Sequence, residues 1–227
     1  MTLKGILSSY KIDVEDDEIE IYERYVEFLL NSPINLTSFE KDEVYHKVVA
    51  DTLIPLKEFP VFYKFVDVGT GGGIPGVIVS IRFDAEGTLI DSTKKKINIL
   101  KEFVDREKLP LKLVWSRAEK LAHESEYRGK FLYVFSRAVA EMPTVLELTA
   151  PFTQIGGYVL LYKGKDWKEE LDRSWKAMEI LGLDLGDVIE YELKTGEKRA
   201  LIILEKIENT PRRYPRKYNQ IKKRPLG

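Results

Sequence analysis

The residues best suited to chemistry lie in one short stretch, in which a carboxylate is followed by a cluster of glycines. Asp67 ends an apolar run, and five glycines follow it between positions 69 and 76. Glycine adopts positive φ angles without steric cost and lets a ligand approach the bare backbone. A helix that begins after such a turn presents amides that attract a negatively charged or polar group. The pattern therefore predicts a strand, a tight loop and a helix that together bind a ligand.

The spacing of the glycines separates three kinds of ligand site. A phosphate-binding P-loop needs Gly-Lys-Ser/Thr at its end, and no lysine is present. A dinucleotide fingerprint matches formally at Gly71, Gly73 and Gly76, but it starts two residues late and contains Pro75. The alternative pattern, acid-x-Gly-x-Gly-x-Gly beginning at Asp67, resembles the first motif of class I S-adenosylmethionine (SAM) methyltransferases. In that reading, an amino acid tail lies where a pyrophosphate lies in dehydrogenases.

The amino-acid composition excludes several kinds of site and several classes of protein. The 227 residues fit one large domain, and a hydrophobic content of 44% provides a full core. The absence of cysteine excludes disulfides and thiolate catalysis, and with only two histidines we expect no metal site. No apolar run has the length of a membrane span, and the first 17 residues do not resemble a signal peptide. We therefore expect a cytoplasmic protein, and nothing demands more than a monomer.

The net charge of −1 conceals an uneven distribution along the chain. Residues 211–227 contain seven cations and no acid, whereas the rest of the chain contains 29 cations and 37 acids. A basic end on an acidic body indicates a polyanionic partner. A solvated terminal tail is the alternative interpretation.

The elements that must position these residues are predicted from the spacing of apolar side chains. We expect a helical cap over residues 1–60, a ligand-binding domain over 61–210 and a basic tail over 211–227. Predicted helices span residues 16–31, 42–56, 94–107 and 141–154, and a further helix places Trp167, Leu171, Trp175 and Met178 toward the core. Predicted strands span residues 64–68, 88–91, 111–115, 131–135, 158–162, 187–193 and 200–204.

The last two predicted strands are joined by the short link 194–198 and form a hairpin. An otherwise parallel sheet that ends in an antiparallel hairpin resembles the methyltransferase sheet, whereas a dehydrogenase more often adds another βα unit. We therefore predict an α/β protein of the Rossmann-like class I methyltransferase type. Its sheet has seven mostly parallel strands, with helices on both faces.

Polar residues follow several predicted strands, at the edge where such sheets bind ligands. Asp91 lies 24 residues after Asp67, and an acid about 20 residues beyond the glycine turn bonds ribose hydroxyls in folds of this type. Ala118 and Glu119 follow the third strand, where backbone amides and a carboxylate can reach an adenine. Arg137 ends the fourth strand, and its fork of donors suits a carboxylate or a phosphate. The alternatives are a turn aspartate for Asp91 and a surface salt bridge for Arg137.

Several strings together resemble the RsmG family, also called GidB, over nearly the whole chain. They are Asn35-Leu36-Thr37, the loop 67–76, Asp91-Ser92, Ser136-Arg137-Ala138, Lys163-Gly164 and the ending 212–217. Members often carry His-x-x-Asp-Ser in the second helix, where this chain has Val48-Val49-Ala50-Asp51-Thr52. His46 is two residues out of register with that histidine, so we assign it no role. The lysines 94–96 are interpreted as a solvated helix start.

The resemblance implies that the protein methylates N7 of a single guanine in bacterial 16S rRNA, with SAM as the methyl donor. It implies that Gly69 and Ile74 border the methionine end of SAM, that Asp91 holds the ribose, and that residues 118–119 flank the adenine. Arg137 would lie at the mouth between cofactor and guanine, as a positioning group. We expect phosphate contacts from Arg212, Arg213, Arg216 and Lys217.

The substrate would be naked rRNA, an assembly intermediate or the finished small subunit. Three alternatives remain open at this point. They are a SAM methyltransferase that acts on a small molecule or protein, a nucleotide- or RNA-binding module without catalysis, and a dinucleotide oxidoreductase.

Overall fold

A single seven-stranded sheet forms the centre of the molecule. The structure is a computed structural model that describes residues 2–37, 39–57, 59 and 64–226, without the side chains of residues 41 and 42. The strands are β1 (Lys64–Val68), β2 (Glu86–Asp91), β3 (Leu111–Trp115), β4 (Phe131–Arg137), β5 (Thr153–Lys163), β6 (Leu183–Glu192) and β7 (Lys198–Lys206).

The order of the strands confirms the predicted fold class. The sheet runs β3–β2–β1–β4–β5–β7–β6. Strands β1 to β5 are parallel, and β7 lies antiparallel between β5 and β6. Because β1 pairs with both β2 and β4, the strand order reverses there, and such a switch point is where open α/β sheets bind their ligands.

Helices cover both faces of the sheet. They are α1 (Leu3–Ser9), α2 (Asp16–Leu30), α3 (Lys41–Val44), α4 (Asp51–Leu53), α5 (Gly76–Phe83), α6 (Lys94–Glu107), α7 (Ala118–Leu121), α8 (Met142–Thr149), α9 (Trp167–Asp172), α10 (Trp175–Leu181) and α11 (Tyr218–Lys223). A π-helical turn (Tyr45–Ala50) joins α3 to α4, and 3₁₀ turns follow α4 (Ile54–Leu56) and α8 (Ala150–Phe152). No described helix is long and apolar enough to cross a bilayer.

Alternating side chains of β1 divide the core into two layers, as the pleat of a strand requires. Phe65 packs with the N-terminal helices, α5 and α6, whereas Val66 and Val68 pack under α8 and α10. The N-terminal helices therefore share a core with the sheet. The predicted boundary at residues 60–61 lies outside the described residues. Helix α1 was not predicted from the sequence.

Two predictions near the middle of the chain were wrong. The helix predicted over 141–154 ends at Thr149, and β5 begins at Thr153, because Pro151 cannot donate the hydrogen bond that would continue the helix. The helix predicted across residues 167–178 is interrupted at positions 173–174, which separates α9 from α10. After this break Trp175 no longer faces the core and is 48% exposed.

The C-terminal segment, residues 207–226, packs against the domain. Tyr214 and Ile221 are buried. The guanidinium of Arg128 donates hydrogen bonds to four main-chain oxygens, three of which belong to residues 210, 211 and 214. The solvated-tail interpretation, made for residues 211–227, is therefore wrong for residues 211–221.

Candidate functional site

An open cleft of about 910 Å³ lies at the carboxyl ends of the central strands. Residues from the glycine loop, from the turns after β2, β3 and β4, and from the N-terminal helices line it. The structure thus brings together all six residues that the sequence predicted around a cofactor. They are Gly69, Ile74, Asp91, Ala118, Glu119 and Arg137.

The glycine loop needs its glycines for both conformation and space. Gly69 has a φ of +79°, and a Cβ there would lie 2.4 Å from a methyl of Val139. Gly71 has a φ of +60°, and the nearest atoms to its missing Cβ, including Nζ of Lys96, are 4.0 Å away. The loop therefore leaves room in the cleft above Gly71.

The main-chain amides of the loop are largely committed to the protein itself. Gly69 and Thr70 donate to the oxygen of Ile90. At the start of α5, Gly76 donates to Asp67 at 3.0 Å and Val77 donates to the oxygen of residue 73 at 2.7 Å. The prediction that these helix-start amides are free for a ligand was therefore wrong.

Two carboxylates lie against the loop. Asp67 is fully buried and accepts hydrogen bonds from Thr70 Oγ1 and the Gly76 amide. Burial raises the pKa of Asp67 to about 7, and among the described residues its Oδ1 has no hydrogen-bond partner. Asp91 accepts from the amides of Gly71 (2.9 Å) and Thr93 (2.7 Å). Of the two carboxylates only Asp91 lines the cleft, and a carboxylate beside a loop whose amides are already bonded favours a cationic ligand group.

Arg137 lies at the opposite end of the cleft, in a buried charge network that the sequence did not predict. Its Nη2 donates to Oδ2 of Asp51 at 2.8 Å and to the main-chain oxygen of Lys47. Asp51 also accepts from the hydroxyl of Tyr191 at 2.7 Å, and Nε of Arg199 lies 3.4 Å away. Burial, with Asp51 nearby, raises the pKa of Tyr191 above its usual range. Within the described part of the chain, the buried Nη1 of Arg137 has no hydrogen-bond partner.

Asp51 is therefore a site residue that the sequence reasoning missed. A signal was present, because the aspartate matches the family string even though the preceding histidine is replaced by Val48. Lys163, also part of a matched string, lines the cleft and pairs with Glu170 at 2.7 Å. Glu170 in turn accepts from the amide of Met142. This pair holds the turn after β4 in place.

The other end of the cleft is formed by the turn after β3 and by the C-terminal segment. Arg117 pairs with Glu119, and its guanidinium lies 4.7 Å from the ring centre of Tyr218. Tyr218 itself lines the cleft. The C-terminal segment therefore contributes a wall to the site.

The four predicted RNA-binding cations have different environments. Arg212, Arg213 and Lys217 are exposed, on the same segment of the chain as Tyr218. Arg216 instead forms a bidentate pair with Glu147, with contacts of 2.9 and 2.7 Å to a carboxylate that is fully buried. The predicted RNA contact of Arg216 stays a prediction, and its partly exposed guanidinium already binds a buried acid.

Comparison with known families identifies what the chain is similar to. A family model described as GidB, rRNA small subunit methyltransferase G, matches residues 18–202. Ribosomal RNA small subunit methyltransferase G of Pseudothermotoga lettingae is 40% identical over 223 residues, covering 97% of each chain. The protein of the same name from Fervidobacterium nodosum is 42% identical over 214 residues, covering 92% of this chain and 99% of the relative.

A solved structure shares the fold at low sequence identity. Geranyl diphosphate C-methyltransferase from Streptomyces coelicolor, in complex with Mg²⁺, geranyl diphosphate and S-adenosyl-L-homocysteine, superposes with a TM-score of 0.55 at 10% identity. The match covers 86% of this chain and 99% of that one. The similarity is one of fold alone.

Proposed function

We propose, from the premise that this chain belongs to the rRNA small subunit methyltransferase G family, that it transfers the methyl group of SAM to N7 of a guanine in 16S rRNA. The observation that carries the proposal is the cleft at the switch point. It combines a glycine loop with open space, the carboxylate of Asp91 and a positioned arginine within one chain. Because one chain supplies the whole cleft, we propose that the enzyme acts as a monomer.

The electrostatics of the loop support a sulfonium cofactor over a dinucleotide. A pyrophosphate needs free amides, and the amides of Gly69, Gly71 and Gly76 already donate to protein oxygens. SAM brings a cationic sulfonium and an ammonium group, which suit a cleft whose wall contains the carboxylate of Asp91. Asp67 is fully buried and would act through the loop, which it holds by its contacts with Thr70 and the Gly76 amide.

The remaining groups match the other parts of SAM. Asp91 would accept from the ribose hydroxyls with the lone pairs that its two amide contacts leave free. Gly69 and Ile74 would border the methionine, and Ala118 and Glu119 the adenine. The ammonium of Lys96, near the open space above the loop, would pair with the methionine carboxylate.

Methylation of guanine N7 requires the protein to position the two reactants rather than to transfer a proton. SAM supplies an electrophilic methyl group on a cationic sulfur. Guanine N7 carries an in-plane lone pair, so no general base is needed. The residues of the cleft must hold N7 about 3 Å from the methyl, in line with the sulfur. Positive charge builds on the purine, and Asp51 offsets the charge of Arg137 on that side of the cleft.

The exposed cations of the C-terminal segment support RNA over a small molecule or a protein as the substrate. Arg212, Arg213 and Lys217 lie on the same segment as Tyr218, so phosphates bound there would run past the cofactor wall. The substrate would be naked 16S rRNA, an assembly intermediate or the small subunit. Because that RNA is a cytoplasmic molecule, we place the activity in the cytoplasm.

Methyl transfer to rRNA tests the proposal directly. The purified protein, with tritiated SAM, is expected to label 16S rRNA taken from cells that lack this protein. The matched control is rRNA from cells that contain it, which should accept little further label. N7-methylguanine carries a charged ring, so mild reduction should allow strand cleavage at the labelled base. Label without cleavage, or no label on naked rRNA and subunits alike, would contradict the proposal.

A further inference from the structure

The rim of the cleft carries an exposed indole that the proposed reaction does not use. Trp115 is 55% exposed at the end of β3, an edge strand of the sheet. It is the register partner of Asp91, and the amide of the next residue, Ser116, donates to the main-chain oxygen of Asp91 at 3.1 Å. The indole therefore stands directly beside the predicted ribose site.

Trp115 is held in place, although it is exposed. Its Nε1 donates to the main-chain oxygen of Ser92 at 3.1 Å. The ammonium of Lys94 lies 4.7 Å from the ring centre. An indole that is exposed and fixed by contacts can offer its ring to a stacking base with little loss of side-chain freedom.

Three consecutive lysines lie close to the indole, and the first of them, Lys94, contacts its ring. Lys94, Lys95 and Lys96 form the first turn of α6, at the positive end of the helix dipole, where cations are unfavourable. Among the residues that the structure describes, no carboxylate lies within 4.0 Å of their ammonium groups. The interpretation of this run as merely solvated leaves both its clustering and its position unexplained.

A second pair of a cation and an aromatic ring lies nearby. Arg117, two residues after Trp115, lies over the ring of Tyr218, as Lys94 lies over the ring of Trp115. Aromatic faces with adjacent cations are the features with which proteins bind single-stranded nucleic acid, because bases stack on the rings and phosphates meet the cations.

We infer that Trp115, with Lys94 and Lys95, is a docking site for an unpaired nucleotide of the substrate RNA. A base stacks on the exposed part of the indole, and its flanking phosphates contact the two lysines. The inference rests on the proposed function, since it takes RNA as the partner. It adds a second RNA-contacting surface, separate from the C-terminal cations.

A matched pair of tryptophans tests this inference. Trp175 is similarly exposed, at 48%, but lies on α10, which packs against α8 and against β6 at the opposite edge of the sheet. The full chain is titrated, without SAM, against a labelled single-stranded oligouridylate and a 16S rRNA transcript. Trp115→Ala is expected to weaken binding roughly tenfold, Trp115→Phe to restore part of it, and Trp175→Ala to leave it unchanged. SAM affinity and thermal midpoint should match wild type in all three.

The lysines give an independent measurement. Lys94→Gln with Lys95→Gln should reduce the slope of log affinity against log salt by about one to two. Equal effects of Trp115→Ala and Trp175→Ala would overturn the inference. A loss of SAM affinity in Trp115→Ala would make the indole a cofactor wall. Unchanged RNA affinity with lost binding to assembled subunits would make the rim a protein contact, which also overturns the inference.

The two proposals fail separately. If wild type binds RNA through Trp115 but methylates no guanine, only the proposed function is overturned. If wild type methylates rRNA and Trp115→Ala binds RNA as wild type does, only the docking site is overturned.

Discussion

The two ends of the cleft use charge in opposite ways. At the end formed by the N-terminal helices, Arg137 is mostly buried and pairs with the buried Asp51, and Tyr191 completes the network. At the end formed by the C-terminal segment, the Arg117 side chain is 43% exposed, pairs with Glu119 and stacks on Tyr218. A closed network fixes geometry, whereas an exposed cation can exchange its ion-pair partner for another charge. From this difference we propose that the first end positions the substrate and that the second end recognises it.

The anchor of the C-terminal segment gives the largest expected effect. Arg216→Met leaves Glu147 buried without its partner, so we expect a loss of about 3–5 kcal/mol in the free energy of unfolding. Urea denaturation measures it. Glu141→Ala is the control, because its pair with Arg173 is exposed and 3.9 Å long, and should cost at most about 1 kcal/mol. Equal losses in the two variants would show that the segment is not anchored through this pair. Deleting residues 211–227 would therefore perturb the fold as well as RNA binding.

The end of the cleft that contains Arg137 and Asp51 is tested by Asp51→Asn. This variant removes the charge that holds Arg137, and we expect kcat for rRNA methylation to fall by about a hundredfold through misplacement, with little change in SAM affinity. Asp105→Asn, in an exposed pair with Lys101, is the control of the same type. A variant that loses stability but keeps its kcat would break the assignment of positioning to this end.

Lys206 gives a pH-dependent test of how the C-terminal segment is held against the domain. It is buried beneath the start of the C-terminal segment, where it donates to Thr210 and to the main-chain oxygen of Leu181. Burial, with the nearby charge of Arg128, lowers its pKa from 10.5 to about 7. Above about pH 7 the native state has released this proton while the unfolded chain keeps it. The lysine therefore contributes stability that rises with pH up to about 10.5.

The corresponding measurement compares wild type with Lys206→Met by urea denaturation at about pH 6 and about pH 9. The stability of wild type relative to the variant should rise by up to about 1.4 kcal/mol per pH unit across this window. Parallel pH profiles would show that the lysine keeps its proton in the fold.

The smallest effect is expected from Tyr218, which forms the cleft wall at the end near the C-terminal segment. Tyr218→Ala removes the ring under Arg117, so we expect the Kd for SAM to rise by a few fold, on the order of 1 kcal/mol. Tyr218→Phe keeps the ring and should bind as wild type does. Calorimetry on both variants decides the point, and equal Kd values for all three proteins would remove Tyr218 from the cofactor site.

The sequence predicted the elements that local patterns determine. Strands β1 and β3 and helix α6 begin and end where apolar runs and helical spacing placed them. What it could not supply were contacts between distant residues. Arg137 meets Asp51 across 86 positions, and Arg216 meets Glu147 across 69. A charge run shows where cations lie in the sequence but not which of them will meet a buried acid.

The carboxylate beside the glycine loop would bear on turnover. Asp91 lines the cleft, and it would lose one favourable Coulombic interaction with the ligand once the methyl has left and the sulfur is neutral. The acid that favours the binding of SAM would therefore hold the demethylated product less strongly, which favours product release.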